Sequence, residues 1–211
     1  ILTTHVGSLP RPAGLLDALN QQLDGMNFDP NELARLAALA VGDIVAKQVD
    51  VGIDVVSDGE MAKISYAHYV KHRLNGLGSR GEGRGALPGS MLNRDMIDHP
   101  DFEKRQRSLP WRKVGGSAGG QFNTGSALPV CIGPVSYGDV TPVNLDLANF
   151  SKAVGRVNPE EAFLNAASPG VLTKFVPDGF YGDEDKYVTD LAKAMRVEYE
   201  AIHQAGFLLQ I

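Results

Sequence analysis

Between residues 29 and 52 the chain reads "DPNELARLAALAVGDIVAKQVDVG", with apolar positions recurring every three or four residues. Leu33, Leu36, Ala37, Ala40, Val41, Ile44 and Val45 therefore share one face of a predicted helix. Asp29 is placed to cap it, Pro30 suits the first helical position, and Glu32 completes a capping-box spacing. Gly52 lets the chain turn out of it. The pattern then changes to "IDVVSDGE", a β-branched run closed by Asp-Gly, which predicts a strand ending in a turn.

The same order returns near residue 211. "YGDEDKYVTDLAKAMRVEYEAIHQAG" carries Tyr187, Val188, Leu191, Ala192, Met195 and Ile202 near helical spacing, and "FLLQI" follows Gly206 as a strand. Two further strand candidates are "LPVCIGPVSY", stopped by Gly133-Pro134, and "EAFLNAASPG", stopped by Pro169-Gly170, with a helix near "LDLANFSKAV" between them. "TTHVGSLP" completes the set. Five strands with helices in most connections predict an α/β fold with a parallel sheet covered by helices. Short apolar strands such as "IDVV" suit burial on both faces.

One stretch departs from this rhythm. From about residue 76 to 127 the chain is rich in Gly, Arg and Ser, and is read as an insertion within a single domain covering 1–211. It is either a surface excursion or a lid over substrate, with Trp111 as an aromatic able to cover a planar ligand.

Net charge and cysteine content narrow the classes. A formal charge of -5 and a pI near 5.5 argue against a nucleic-acid partner. No window approaches the roughly 20 apolar residues of a membrane helix, and residues 1–12 lack a signal-peptide pattern. Cys131 is the single cysteine, which fits a reducing compartment, so a cytoplasmic location is expected.

In a parallel α/β barrel the chemistry sits at the carboxyl ends of the strands. Here the first such end carries His5, Gly7 and Ser8, whose backbone amides can hold a carboxylate. His5 alone reads equally as an ordinary hydrogen-bonding histidine. The second carries Asp58 and Glu60, two carboxylates able to grip an ammonium group, transfer protons or bind a cation. Equally, Asp58 could cap a following helix with Glu60 on its first turn. The third, Ser168-Pro169-Gly170, is a turn that could line a pocket. His68 and His72 are spaced i, i+4 without the glutamate of a zinc-protease helix, and Cys131 in an apolar strand reads as an inert core thiol. No phosphate-loop or dinucleotide-binding glycine pattern follows a strand.

"TTHVGSLPRP", "GIDVVSDGE", "CIGPVSY", "AASPG" and "EYEAIHQAGFLLQI" resemble, in order and spacing, the cobalamin-independent methionine synthase family, above all its shorter single-barrel relatives. The resemblance implies a TIM-type (β/α)8 barrel, of which the chain covers about the first five strands. It implies methyl transfer to the sulfur of homocysteine, giving methionine, from a methylated folate or similar donor, through a zinc-bound thiolate. By the same resemblance Gly7 and Ser8 hold the amino-acid carboxylate and Glu60 the amino group, with Asp58 beside it. The family's zinc ligands fall beyond Ile211, so no metal ligand or catalytic group is expected within 1–211. This portion alone is expected to be inactive. Exposing Phe207, Leu208, Leu209 and Ile211 would forfeit about 1.5–3 kcal/mol each, which argues that further chain or a partner covers them. Two other readings are kept: alkyl transfer to another thiol such as coenzyme M, and a non-catalytic half-barrel that binds a small molecule or partner. Homo-oligomerisation is left open.

Overall fold

The computed structural model describes residues 1–23, 26–63, 65, 68–79, 98–101, 104–105 and 129–211. Helix α1 (Ala13–Leu23) precedes α2 (Pro30–Asp50), which starts where the sequence predicts. Asp29 accepts a hydrogen bond from the Asn31 amide, and Pro30 occupies the first turn. The capping box does not close: Glu32 instead receives both arms of Arg35, at 2.7 Å each. Ala37, Ala40, Val41 and Val45 of the predicted face are buried, with Leu33, Leu36 and Ile44 half-covered at its margins.

Strand β1 (Val55–Ser57) follows α2, and beyond it lie a short 3₁₀ helix (His68–His72) and β2 (Leu74–Ser79). Then come β3 (Pro129–Tyr137), α3 (Thr141–Val154), β4 (Glu161–Asn165), α4 (Pro169–Phe175), α5 (Glu184–Gln204) and β5 (Leu208–Gln210). β4 pairs in parallel with β1 on one side and β5 on the other, and Thr4 forms a parallel bridge to Val55. The sheet therefore runs Thr4, β1, β4, β5, with helices in the connections. This is an α/β fold with a parallel sheet, and the sheet is open rather than closed into a barrel.

The strand count differs from the expected five. "CIGPVSY" forms no part of the parallel sheet: it is the long arm of an antiparallel hairpin with β2. Pro134 has no N–H to donate to a central strand. Opposite it, Gly76 has φ +83° and lies so close that a Cβ there would meet the Pro134 carbonyl oxygen at 2.4 Å. The ladder slips between Asn75 and Leu77, the mark of a bulge. β2 itself includes residues 76–79, the start of the Gly-rich stretch; Trp111 lies outside the described residues.

The core lies between the parallel sheet and its helices. Val45, Val56, Phe150, Leu191 and Met195 are each fully buried, and the Phe207 ring packs tilted against Phe150 with centroids 4.7 Å apart. Phe207 and Leu209 thus find partial cover, whereas Leu208 and Ile211 are exposed at 50% and 58%. Among the described residues no helix is long and apolar enough to cross a membrane.

Candidate functional site

The turn after β1 is built from two successive residues in the left-handed region, Gly59 at φ +62° and Glu60 at φ +57°. For a residue with a Cβ this conformation costs roughly 1–2 kcal/mol, so something must hold it. Asp58 accepts from the Glu60 amide at 2.9 Å, closing a local turn rather than capping a helix. Arg11 adds a clamp from the first loop: its guanidinium donates to the carbonyls of Glu60 and Lys63, each at 2.8 Å, and of Met61 at 3.3 Å. The Leu9 amide donates to the Gly59 carbonyl at 3.1 Å, tying the two strand-end loops together.

That geometry brings the predicted residues of the first two strand ends into one site. Ser8 donates its hydroxyl to Glu60 Oε2, and Asn165, at the end of β4, donates its amide to Oε1. Glu60 is 3% exposed, so its carboxylate sits in a desolvated position between three strand ends. Gly7, at φ +100°, has nothing within 4 Å of where a Cβ would stand, which leaves its backbone open to an approaching group. His5 is half-buried, and its Nε2 is buried without a hydrogen-bond partner among the described residues.

Charge is distributed unevenly here. Burial pushes the Asp58 carboxyl above its ordinary value, with Lys63 opposing the shift. Burial likewise lowers the Arg11 pKa, while Glu60 and Asp58 counter it. Lys63, 3% exposed, donates to the Asn165 carbonyl at 2.6 Å and to its side-chain oxygen at 2.9 Å, with the Tyr69 ring 5.1 Å from its ammonium.

Ser168 does not join them. Its hydroxyl accepts from the Val171 amide at 3.2 Å and caps α4, with Pro169 in the first turn. The Ser-Pro pair is thus a helix start, where the sequence reading had a turn lining a pocket. His68 and His72 fall in a 3₁₀ helix, whose three-residue turn does not stack positions i and i+4. Cys131 is buried in β3, and burial pushes its thiol up to about 11.

Sequence reasoning missed Arg11, Lys63 and Asn165. Arg11 stood inside the "TTHVGSLPRP" motif, flanked by Pro10 and Pro12, and that rigid setting was the available signal. Asn165 interrupts an apolar strand, a position where a polar side chain needs a partner.

A second polar cluster lies behind the site. Arg73 bridges Asp146 and Glu198, the latter at 3.0 Å, and stacks over the Tyr69 ring at 4.7 Å. Tyr69 and Tyr137 each donate a hydroxyl to Glu198, at 2.9 and 3.0 Å. Tyr69 also accepts from the Ala167 amide at 3.4 Å, which connects the cluster to the end of β4.

No family model matches the chain. A Bacillus subtilis (strain 168) protein, uncharacterized protein YxjH, is 26% identical over 204 residues, which are 96% of this chain and 45% of the relative. A B12-independent methionine synthase from Shewanella sp. W3-18-1, solved in complex with selenomethionine, superposes with a TM-score of 0.65 at 19% identity, over 97% of this chain and 49% of that one. A putative vitamin-B12 independent methionine synthase from Listeria monocytogenes gives 0.62 at 18% identity, over 100% of this chain and 52% of that one. The chain spans about half the length of these relatives. At such identities the solved structures show a shared fold: helices around a parallel sheet, as in the methionine synthase barrels.

Proposed function

We propose that the chain contributes the amino-acid-binding part of a (β/α)8-barrel methyltransferase acting on the thiol of homocysteine. One observation carries this reading: a buried, strained Glu60 whose carboxylate is held at both oxygens at the meeting of three strand ends. A carboxylate so placed recognises an ammonium group, and charge-assisted bonds of this kind are about twice as strong as neutral ones. The open backbone at Gly7 and the Ser8 amide are suited to the carboxylate of the same amino acid. Similarity to a structure solved with selenomethionine supports the choice of an amino acid carrying sulfur or selenium. Zinc and a methylated folate belong to this proposal for the whole protein. Among the described residues no three of His, Cys, Asp and Glu gather as a metal site, and Cys131 is buried with a raised pKa. These residues do not fit zinc.

The test is methionine formation by the intact, zinc-repleted protein from homocysteine and a methylated folate, run beside coenzyme M as acceptor. Turnover with homocysteine, with a KM that rises at least about tenfold on Glu60→Gln, is the expected result. Preference for coenzyme M, or indifference to Glu60→Gln, would overturn the amino-acid assignment.

A further inference from the structure

Asn165 stands between two groups that each tolerate one kind of partner. The Glu60 carboxylate only accepts hydrogen bonds, and the Lys63 ammonium only donates them. A carboxamide touching both has a single acceptable orientation, with Oδ1 toward Lys63 Nζ at 2.9 Å and Nδ2 toward Glu60 Oε1. Lys63 is itself fixed, by the Asn165 backbone carbonyl at 2.6 Å and by the face of Tyr69. It therefore orients Asn165 rather than pairing with Glu60 directly. Among the described residues, the donors to the Glu60 side chain are Ser8 and Asn165, one to each oxygen. A carboxylate offers about four lone-pair directions, so about two remain, one on each oxygen.

We propose that Lys63 and Asn165 are the positioning pair that makes the Glu60 carboxylate selective for a primary ammonium group. This inference rests on the reading of Glu60 given above. Donors fixed one to each oxygen hold the carboxylate in a single orientation, toward which a –NH₃⁺ group can direct its N–H bonds. A flipped Asn165 would set its oxygen against the Glu60 carboxylate and its NH₂ group against the Lys63 ammonium, acceptor to acceptor and donor to donor. Lys63 prevents this at a distance. Among the described residues Asp58, Arg11 and Lys63 are charged groups beside the turn, and Asp146 acts on Asp58 from α3.

The measurement is the affinity of the intact protein for methionine and for 4-(methylthio)butanoate, which lacks only the amino group, by titration calorimetry. The wild type is expected to favour methionine by tenfold or more. Asn165→Leu and Lys63→Met should cut that ratio about tenfold through methionine alone, leaving the affinity for the desamino analogue unchanged. Retained affinity for the desamino analogue shows that each variant is folded. Equal weakening of both ligands would reduce the pair to ordinary scaffolding and overturn the inference. A wild-type ratio near one, or a ratio unaltered by Glu60→Gln, would instead sink the reading of Glu60 itself. Loss of the ratio in Glu60→Gln with its retention in Asn165→Leu and Lys63→Met would sink the positioning role alone.

Discussion

Replacing Arg73 with methionine removes the cation that bridges the Asp146 and Glu198 carboxylates. Arg73 is 6% exposed, Glu198 1% and Asp146 11%, so the substitution strands two charges where water reaches poorly. Removing one partner of a buried pair costs about 3–5 kcal/mol. Glu198 keeps the hydroxyls of Tyr69 and Tyr137, which places the expected loss toward the lower end, near 3 kcal/mol. Glu198→Gln should cost less, about 1–2 kcal/mol, since Arg73 retains Asp146 and the tyrosines retain an acceptor. The double variant should fall short of the sum by at least about 1 kcal/mol, because both changes act on one network. Urea unfolding of the intact protein followed by circular dichroism measures all three.

The pH dependence supplies a sharper check. Burial pushes Glu198 upward, but Arg73, Lys63 and its hydrogen bonds outweigh that and leave it below the ordinary value near 4.5. A depressed carboxylate stabilises the fold above its unfolded pKa, and that contribution is lost as pH falls through the folded value. Without Arg73 the balance tips toward burial and the folded pKa rises above the unfolded one. The penalty of Arg73→Met should then be largest near neutral pH and shrink as the solution is acidified toward 4.5. A loss below about 1 kcal/mol at pH 7, or one that stays constant on acidification, would refute the buried network as the tie between the hairpin, α3 and α5.

Gly76→Ala and Gly52→Ala both place a side chain at positive φ, but only the former meets backbone, at 2.4 Å. Gly52→Ala should cost about 1–2 kcal/mol and Gly76→Ala at least about 2 kcal/mol more; equal urea midpoints would contradict the bulge. Ser168→Ala removes a helix cap and should cost about 1 kcal/mol in stability, while the preference for methionine over its desamino analogue stays unchanged. With its thiol pushed up to about 11, native Cys131 should react with a disulfide reagent at pH 8 at least about a hundredfold more slowly than after unfolding in urea, and comparable rates would show an accessible thiol.

Local rules recovered what local forces build. Asp29, Pro30 and the three- and four-residue apolar rhythm sufficed to place α2, because capping and one-sided burial are decided within a few turns. "CIGPVSY" looked like a barrel strand for the same local reasons, yet its partner was decided far away in sequence by Gly76, whose missing Cβ admits Pro134. Residue spacing cannot show that contact. Its nearest trace was a proline in an apolar run, which argues against a central strand.

The candidate site was legible in part for a different reason. Ser8, Asp58 and Glu60 stood out as polar residues at strand ends, but the neighbouring arrangement read as a cap and first helical turn. The structure instead puts Glu60 at φ +57°, where a residue with a Cβ is uncommon. A local preference is defeated there by long-range contacts: Arg11 holds the turn's carbonyls, and Asn165 and Ser8 hold the carboxylate. Glycine at position 60 would relieve the backbone and leave the site without its charge. The strain is therefore tied to the carboxylate, and the three contacts that stabilise it are the ones the linear pattern could not reveal. That conflict between local preference and long-range restraint is the physical ground on which a binding role is proposed for the turn.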